Sequence, residues 1–422
     1  MTRIFFAILL ALGCAYAAYH FTLQKGFVNP YPAFCDLVSQ KIFLDDAKIK
    51  NWKKTCHRRS RLVTPYSPKK IIIKDMNNVL ALLKVSHLEV YDSKEVASIW
   101  RGESLETGIE SQFVDGELVI FKVHPNSPAE DLGLRRGDII QTINAEQPNP
   151  WEAQTGGDII QTINAEQPNP WEAQTEQGSY LILRKDKEFS VKIKPRAIIR
   201  SEEITLEAKE PGQAVLKVPS FRAAFFVDEE MQKLEAGLLS LKRVVVDLRG
   251  NAGGNFVAGL RFLSLFICKP ELVGTLERPR VAVKSAAELP NDLDDQAQLA
   301  VLDTHSEVLL KTYAQKNCYS GEVRVLVDGK SSSVAEMVAQ ALKEFKKAPL
   351  LGSPSRGQLL VGVWYPLDEV AQGVQISIPE AVYLSHKKYR IEGQGVELDR
   401  VLYYHLPEMQ AGIDSWEKKA LD

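Results

Sequence analysis

The sequence predicts an α/β protein built on a parallel sheet, preceded by a helical segment and interrupted by a small β-rich insertion. Three observations carry this expectation. Val244–Gly254 reads VVVDLRGNAGG and Val325–Leu342 reads VLVDGKSSSVAEMVAQAL, each a β-branched run that breaks into a turn of small residues. The second continues as a helix with apolar residues at helical spacing. From about Gly108 the pattern changes to short strands punctuated by glycine turns.

Taken in order, the chain starts with Arg3 and the apolar run IFFAILLALGCAYAA. Ala15-Tyr16-Ala17 fits a leader-peptidase site, so residues 1–17 read as a signal peptide. Two other readings stay open. Ile4–Leu23 is just long enough for an uncleaved membrane anchor, and Cys14 is a lipid-attachment candidate whose Leu12 is too large for a good lipobox. Each reading leaves the bulk of the chain periplasmic or extracellular, with possible membrane association through the N-terminus. In residues 18–104, Tyr31–Val63 reads as helical and basic, Pro65 and Pro68 break it, and Asp75–Lys84 has leucines at helical spacing leading to Ser86-His87.

Forty-five per cent apolar and 25% charged residues are ordinary globular values in a chain of 422 residues, enough for two or three domains. A net charge of −2 gives no reason to expect a nucleic-acid partner. Cys35, Cys56, Cys268 and Cys318 remain after the leader, an even number compatible with two disulfides in an exported chain. Cys35 with Cys56 and Cys268 with Cys318 are the local pairings. Four buried thiols acting as small hydrophobes are the other reading.

Within residues 105–197, ELVIFKVHPNSPAEDLGLRRGDIIQTINAEQ at Glu117–Gln147 resembles a PDZ domain, most specifically in its SPAEDLGLRRGDI turn. The resemblance makes Gly108, Ile109 and Glu110 the candidate loop for a peptide's terminal carboxylate, with the peptide adding a strand to the sheet. The insertion also contains a repeat. GDIIQTINAEQPNPWEAQT at Gly137–Thr155 recurs unchanged at Gly157–Thr175, giving tandem copies 137–156 and 157–176. Two copies are too few for a solenoid. Only one segment fits the sheet, so the other copy is expected to protrude as a loop, which long insertions tolerate well. No function is assigned to it.

Residues 198–422 carry the chemistry. Phe226–Leu241, Asn255–Phe266 and Val334–Phe345 read as helices, and Lys284–Asp303 as an acidic, polar surface excursion. A glycine-rich turn can bring backbone N–H groups to a ligand, and Ser331–Ser333 place hydroxyls at the mouth of a helix. Donors for an oxyanion and a nucleophilic hydroxyl are the parts of acyl transfer. DLRGNAGG followed by an SxSxxE turn resembles the S41 serine peptidases, the family of tail-specific and tricorn-type proteases and of interphotoreceptor retinoid-binding protein. AVLKVPSF at Ala214–Phe221, GSPSRGQ at Gly352–Gln358 and YRIEGQGVELD at Tyr389–Asp399 fit the same pattern, over roughly Asn77 to Tyr404.

The resemblance implies a crotonase-like (ClpP-like) α/β protease core with an inserted PDZ domain, acting on protein or peptide substrates. Glu336 sets the register that makes Ser333 the nucleophile. Gly253 or Gly254 would supply one oxyanion N–H and Val334 the other. Tail-specific members carry a lysine base twenty-five residues after the nucleophile, and here that place holds Gln358. A glutamine amide accepts no proton at neutral pH. Ser86-His87 resembles the pair of tricorn-type members, in which histidine is the base and a glutamate of the EG-x-G motif, here Glu392, completes a tetrad. The resemblance therefore assigns Ser333, His87, Ser86 and Glu392 to catalysis, with Asp247 and Arg249 shaping the turn. Two alternatives stay open, a peptide-binding scaffold without activity and a carrier of apolar ligands. No metal-ligand spacing appears among Cys and His, so no metal or cofactor is implied.

Overall fold

The computed structural model describes residues 27–101, 103–144, 170–199, 203–280 and 285–422. The leader reading falls outside them, as does residue 145–169 of the repeat region. No helix among the described residues is long and apolar enough to cross a membrane. The fold is mixed α/β, as the sequence predicts, and divides into two units: 1–97 with 362–380, and 98–361 with 381–422.

The first unit is built on three helices, α1 (Tyr31–Lys41), α2 (Asp46–Arg59) and α3 (Lys69–Leu80). Their apolar stripes meet through Phe34, Val38, Ile49, Trp52, Met76 and Val79, all buried. Asp45 caps α2 by accepting the Lys48 N–H at 3.0 Å. Cys35 and Cys56 form a disulfide between α1 and α2. A 3₁₀ turn, Ala81–Leu83, ends at Lys84 in the left-handed region. The chain then passes through Ser86-His87 into β1 (Glu89–Tyr91). Asn77 on α3 fixes that passage by bonding both backbone groups of Val90, at 2.7 and 3.0 Å. Linear reading had assigned residues 362–380 to the core. They belong to this unit because their strand pairs antiparallel with β1, Val90 opposite Ile376.

In the second unit the β-rich insertion forms a five-stranded antiparallel sheet, β2 (Ile109–Val114), β3 (Glu117–Val123), β4 (Ile139–Ile143), β5 (Gly178–Arg184) and β6 (Lys187–Ile193). Helix α4 (Pro170–Thr175) packs beside β2. The repeat is divided between these elements. GDIIQTIN of the first copy supplies β4, while PWEAQT of the second copy supplies α4. Asn144 closes the strand by exchanging backbone and side-chain bonds with Ser179.

The core sheet begins with antiparallel β7 (Thr205–Glu210) and continues through β8 (Gln213–Lys217) to helix α5 (Asp228–Leu238). Strand β9 (Arg243–Asp247), helix α6 (Phe256–Ser264) and strands β10 (Leu272–Glu277), β11 (Ala286–Glu288) follow. Next come helix α7 (Asp295–Thr304), strands β12 (Glu307–Lys311) and β13 (Glu322–Val327), and helix α8 (Val334–Lys346). After β14 (Leu350–Gly352), β15 (Leu360–Pro366) and β16 (Gln375–Ser385), the chain closes with β17 (Arg400–Val401), α9 (Leu406–Gln410) and α10 (Ser415–Leu421). Strands β8, β9, β13, β14 and β17 are mutually parallel, with Val246 opposite Val325. Both faces of β9 are covered, as a parallel sheet requires, so Val244, Val245 and Val246 are all fully buried. Val246 and Val325 face the core shared by α6 and α8, and Val245 faces Tyr404, Met409 and Trp416 near the C-terminus together with Val114, Val119 and Ile139 of the insertion.

The acidic stretch expected to be a surface excursion is structured. It holds β11 and α7, because Leu289 and Leu302 are buried anchors in the main core. Cys268 and Cys318 form the second disulfide, so both local cysteine pairs form.

Candidate active site

Two turns at the carboxyl ends of neighbouring parallel strands, β9 and β13, are joined by hydrogen bonds. The buried Asp328 carboxylate accepts the N–H groups of Gly250, Lys330 and Ser331, each at 3.0 Å. Burial pushes its carboxyl above the usual range. Ser331 donates its hydroxyl to Leu248 O at 2.8 Å, and Ser332 N–H donates to Asn251 O at 3.0 Å. Of the three serines, Ser331 and Ser332 are thus buried and tied into the scaffold, whereas Ser333 is only half-buried.

Ser333 stands at the N-cap of α8 with φ 57° and ψ −127°. A non-glycine residue there is strained, and such strain persists only where the surroundings over-determine it. The holding group is Glu336, one turn into α8 and fully buried. Its carboxylate accepts from Ser333 N–H (3.1 Å), Ser355 Oγ (2.6 Å), Gly357 N–H (2.7 Å) and Gln358 N–H (3.0 Å). Burial raises its carboxyl above the usual range, against the pull of those four donors. Ser333 N–H also donates to Gln358 O at 3.0 Å. The Ser333 turn and the 355–358 loop are therefore one hydrogen-bonded body.

The oxyanion candidates differ from one another. Gly253 N–H donates to Asn251 Oδ1 at 2.8 Å, so that donor is already engaged. Among the described residues, Gly254 and Val334 N–H meet no acceptor in the turn and helix-cap bonding. Gly253 has another use. A Cβ added to it would lie 2.7 Å from Ser333 Cβ and 2.9 Å from Val334 N, and its φ is +92°. Only glycine lets this turn close over the serine. Asn251, fully buried, holds the turn from below by donating its Nδ2 to Val218 O at 2.8 Å. Arg249 bonds Asp247 (2.8 Å), Tyr404 (2.5 Å) and Asp414 (3.1 Å), which fits a shaping role for the Asp247–Arg249 pair.

Glu392 accepts the Leu359 N–H at 2.8 Å, one residue beyond Gln358. Gly393 N–H donates to Gly357 O at 2.8 Å, so the C-terminal EG-x-G stretch packs on the loop that Glu336 holds.

In the first unit, Ser86 Oγ lies 2.9 Å from His87 Nδ1. A proton donated by Nδ1 to that hydroxyl leaves the Nε2 lone pair as the basic one. His87 has φ 58°, a second strained residue beside a candidate function. A Cβ at Gly362 would overlap Ser377 Oγ and sit in ordinary contact, 3.4 Å, with His87 Cβ, so the neighbouring Ser377 and not the histidine crowds a side chain there.

The candidate peptide loop is more occupied than expected. Ile109 N–H donates to Thr107 Oγ1 at 3.2 Å, and Thr107 N–H donates to Gln174 O at 2.7 Å. Gly108, at φ +85°, abuts Ser127. Glu110 is buried, with His124 Nε2 at 2.6 Å and Lys330 Nζ at 2.6 Å. Burial opposes its charge, but the bond from His124 and the charge of Lys330 outweigh it and hold the carboxyl well below the usual range. Glu110 thus connects the insertion's edge strand to the turn that carries Ser333. Sequence reasoning missed this pair, along with Asn251, Asp328 and Ser355. Asn251 and Asp328 lay inside motifs already recognised, GNAGG and VLVDG. Nothing local pairs positions 110 and 330.

A strained serine at a strand-to-helix turn, beside free backbone donors of a neighbouring strand, defines an α/β protein with the parts of an acyl-transfer centre. Residues 212–402 match the model of peptidase family S41. Curated relatives include the "Probable CtpA-like serine protease" of Staphylococcus aureus, 24% identical over 71% of this chain. The chain spans about half the length of such relatives, 52% in this case. The "Carboxy-terminal-processing protease" of Bartonella bacilliformis is 24% identical over 84% of this chain and 75% of its own length. Among solved structures, mature CPAF complexed with lactacystin aligns with TM-score 0.62 and 13% identity, over 94% of this chain and 97% of that one. The photosystem II D1 C-terminal processing protease aligns with TM-score 0.55 and 17% identity, over 89% and 92%. At these identities the structural likeness speaks to fold alone.

Proposed function

We propose that the chain is an exported serine endopeptidase that cleaves unfolded or C-terminal segments of proteins through an acyl-enzyme. The observation that carries this reading is Ser333, strained and half-buried at the head of α8 beside two N–H groups with no acceptor. His87 takes the Ser333 proton as Oγ attacks the scissile carbonyl, and the N–H groups of Gly254 and Val334 receive the oxyanion. The protonated imidazole then gives its proton to the leaving amine. Water attacks the ester with the same base assisting, and Ser333 is restored. Ser86 orients the imidazole through Nδ1, and Glu392 supports the loop ahead of β15. The names of the relatives support a serine protease that processes carboxyl termini. The two disulfides support export, since such bonds persist in oxidising compartments.

Gln358, standing where tail-specific members carry lysine, favours the rival reading of an inactive scaffold. Fluorophosphonate labelling with peptide mapping separates the two. The proposal expects label on Ser333, none in Ser333→Ala, and a loss of at least ~10³ in rate for His87→Ala. An imidazole base also gives a rate that rises through roughly pH 6–7 and then levels. A parent protein that neither labels nor cleaves unfolded proteins would establish the scaffold.

A further inference from the structure

The peptidase reading leaves one surface of the N-terminal unit without a use. From Lys48 to Lys74 the sequence has ten Lys and Arg and no Asp or Glu, in a chain whose net charge is −2. Seven of the ten are exposed. Within the described residues, carboxylates offset two of the less exposed ones, Asp36 beside Lys53 at 2.7 Å and Asp75 beside Arg59 at 3.4 Å. Lys50, Lys54 and Arg58 stand at i, i+4 and i+8, one exposed stripe of α2, while Ile49, Trp52 and Cys56 bury the opposite side. Like charges at that spacing weaken a helix, so the stripe is not explained by the stability of α2.

The connection from α2 to α3, together with the first turn of α3, adds a second feature. Leu62 is 65% exposed and Ile71 61% exposed, with Tyr66 between them at 46%. They alternate with Arg61 and Lys70, both exposed. Aliphatic side chains in water among unpaired cations match a bilayer surface, where phosphate headgroups lie directly above acyl chains. A nucleic-acid backbone offers the phosphates but nothing apolar for Leu62 and Ile71 to enter. The same sequence carries the apolar run Ile4–Leu23, which as an uncleaved anchor would hold the unit at a membrane.

We infer that the α2 stripe, the α2–α3 connection and the first turn of α3 dock on an anionic phospholipid bilayer. The cations meet the headgroups, and Leu62 and Ile71 enter the acyl boundary. The inference does not depend on the chemistry at Ser333.

Flotation of the full chain with vesicles tests it, comparing phosphatidylcholine alone with mixtures containing about 30% phosphatidylglycerol. The apolar run is common to parent and variants, so differences between them isolate this surface. The parent should bind the anionic vesicles at least ~10-fold more strongly than the neutral ones, and the excess should vanish near 1 M salt, where screening reaches ~3 Å. Lys50→Glu, Lys54→Glu and Arg58→Glu combined should abolish the excess, with melting and Ser333 labelling unchanged. Leu62→Ser with Ile71→Ser should retain the salt-sensitive part and weaken what remains at high salt. Equal binding to both vesicles would overturn the inference. So would an unaffected triple variant, or a preference for duplex DNA over the vesicles at the same salt. The salt comparison needs no substitution and so holds even where a variant folds poorly.

Discussion

Glu336→Gln probes the group that holds the nucleophile's backbone without touching any group proposed to react. The carboxylate accepts four donors, three of them backbone N–H groups. A glutamine carbonyl can keep two, and its NH₂ group then faces the other two as donor against donor. At about 1.5 kcal/mol for each charge-assisted bond lost, stability falls by about 3 kcal/mol. Ser333 N–H keeps Gln358 O, so the turn should loosen rather than unfold. If most of that energy is what holds Ser333 at φ 57°, labelling by a fluorophosphonate slows by ~10²-fold, equivalent to about 2.7 kcal/mol. The loss should appear in kcat and leave KM nearly unchanged. Labelling rate and thermal melting, measured on one preparation, check both parts. A variant that labels within about threefold of the parent refutes the claim that Glu336 sets the serine's geometry.

The same carboxylate predicts opposite pH trends for stability and activity. Burial raises its folded value above the unfolded one. Its contribution to stability is therefore greatest below the unfolded value and declines as pH rises through the folded one. Activity needs the ionised acceptor, so acid should inactivate the enzyme at a pH above the ordinary glutamate range, before the protein melts. Glu336→Gln should abolish that acid limb.

Gly253→Ala places a methyl 2.7 Å from Ser333 Cβ at a φ of +92°, so the turn must shift, and both kcat, by ~10²–10³, and the melting temperature should fall. Glu110, held below the usual range, contributes stability that is present above its unfolded value and lost as pH falls through its folded one. Lys330→Met removes one of its two partners and narrows the gap between those values, so it should lower the melting temperature near neutral pH and flatten its fall in acid, read from melting temperature against pH. Deleting residues 145–164 gives a single-copy chain that retains the β4 strand and the α4 helix, so its melting temperature should match the parent's or exceed it. A fall of several degrees would show that both copies pack.

What was legible in the sequence follows the range of the interactions. The β9 and β13 strands and the α8 helix were readable because each is a local pattern, a β-branched run or an apolar helical stripe, that burial then reinforces. The position of Ser333 was readable because Glu336 lies three residues away on the same helix. The two cysteine pairs were readable because each lies within one stretch of chain. Where reading failed, the partner was distant. Residues 362–380 joined the N-terminal helices through pairing with β1, and no composition signal marks that transfer. The acidic stretch looked like surface because its anchors, Leu289 and Leu302 buried with Leu293, Leu299 and Val301 partly so, are scattered through a polar segment.

The repeat shows the limit most directly. Two identical segments have identical propensities, so no local rule could say which would form the strand and which the helix. The choice is set by chain connectivity at each end. The first copy follows directly from the Leu134–Asp138 turn, so its GDIIQTIN enters the sheet beside β3. The second copy leads directly into β5, so its PWEAQT forms the helix beside β2, where Thr107 bonds the carbonyls of Ala173 and Gln174. A single-copy chain would need only the five residues AEQPN between them, and the duplication lengthens that connection by one period of twenty. Loop entropy grows only logarithmically with length, so extending the connection fivefold costs only about 1.4 kcal/mol. The insertion thus retains every paired element of a single-copy domain, including the edge strand whose Glu110 reaches Lys330, three residues before Ser333.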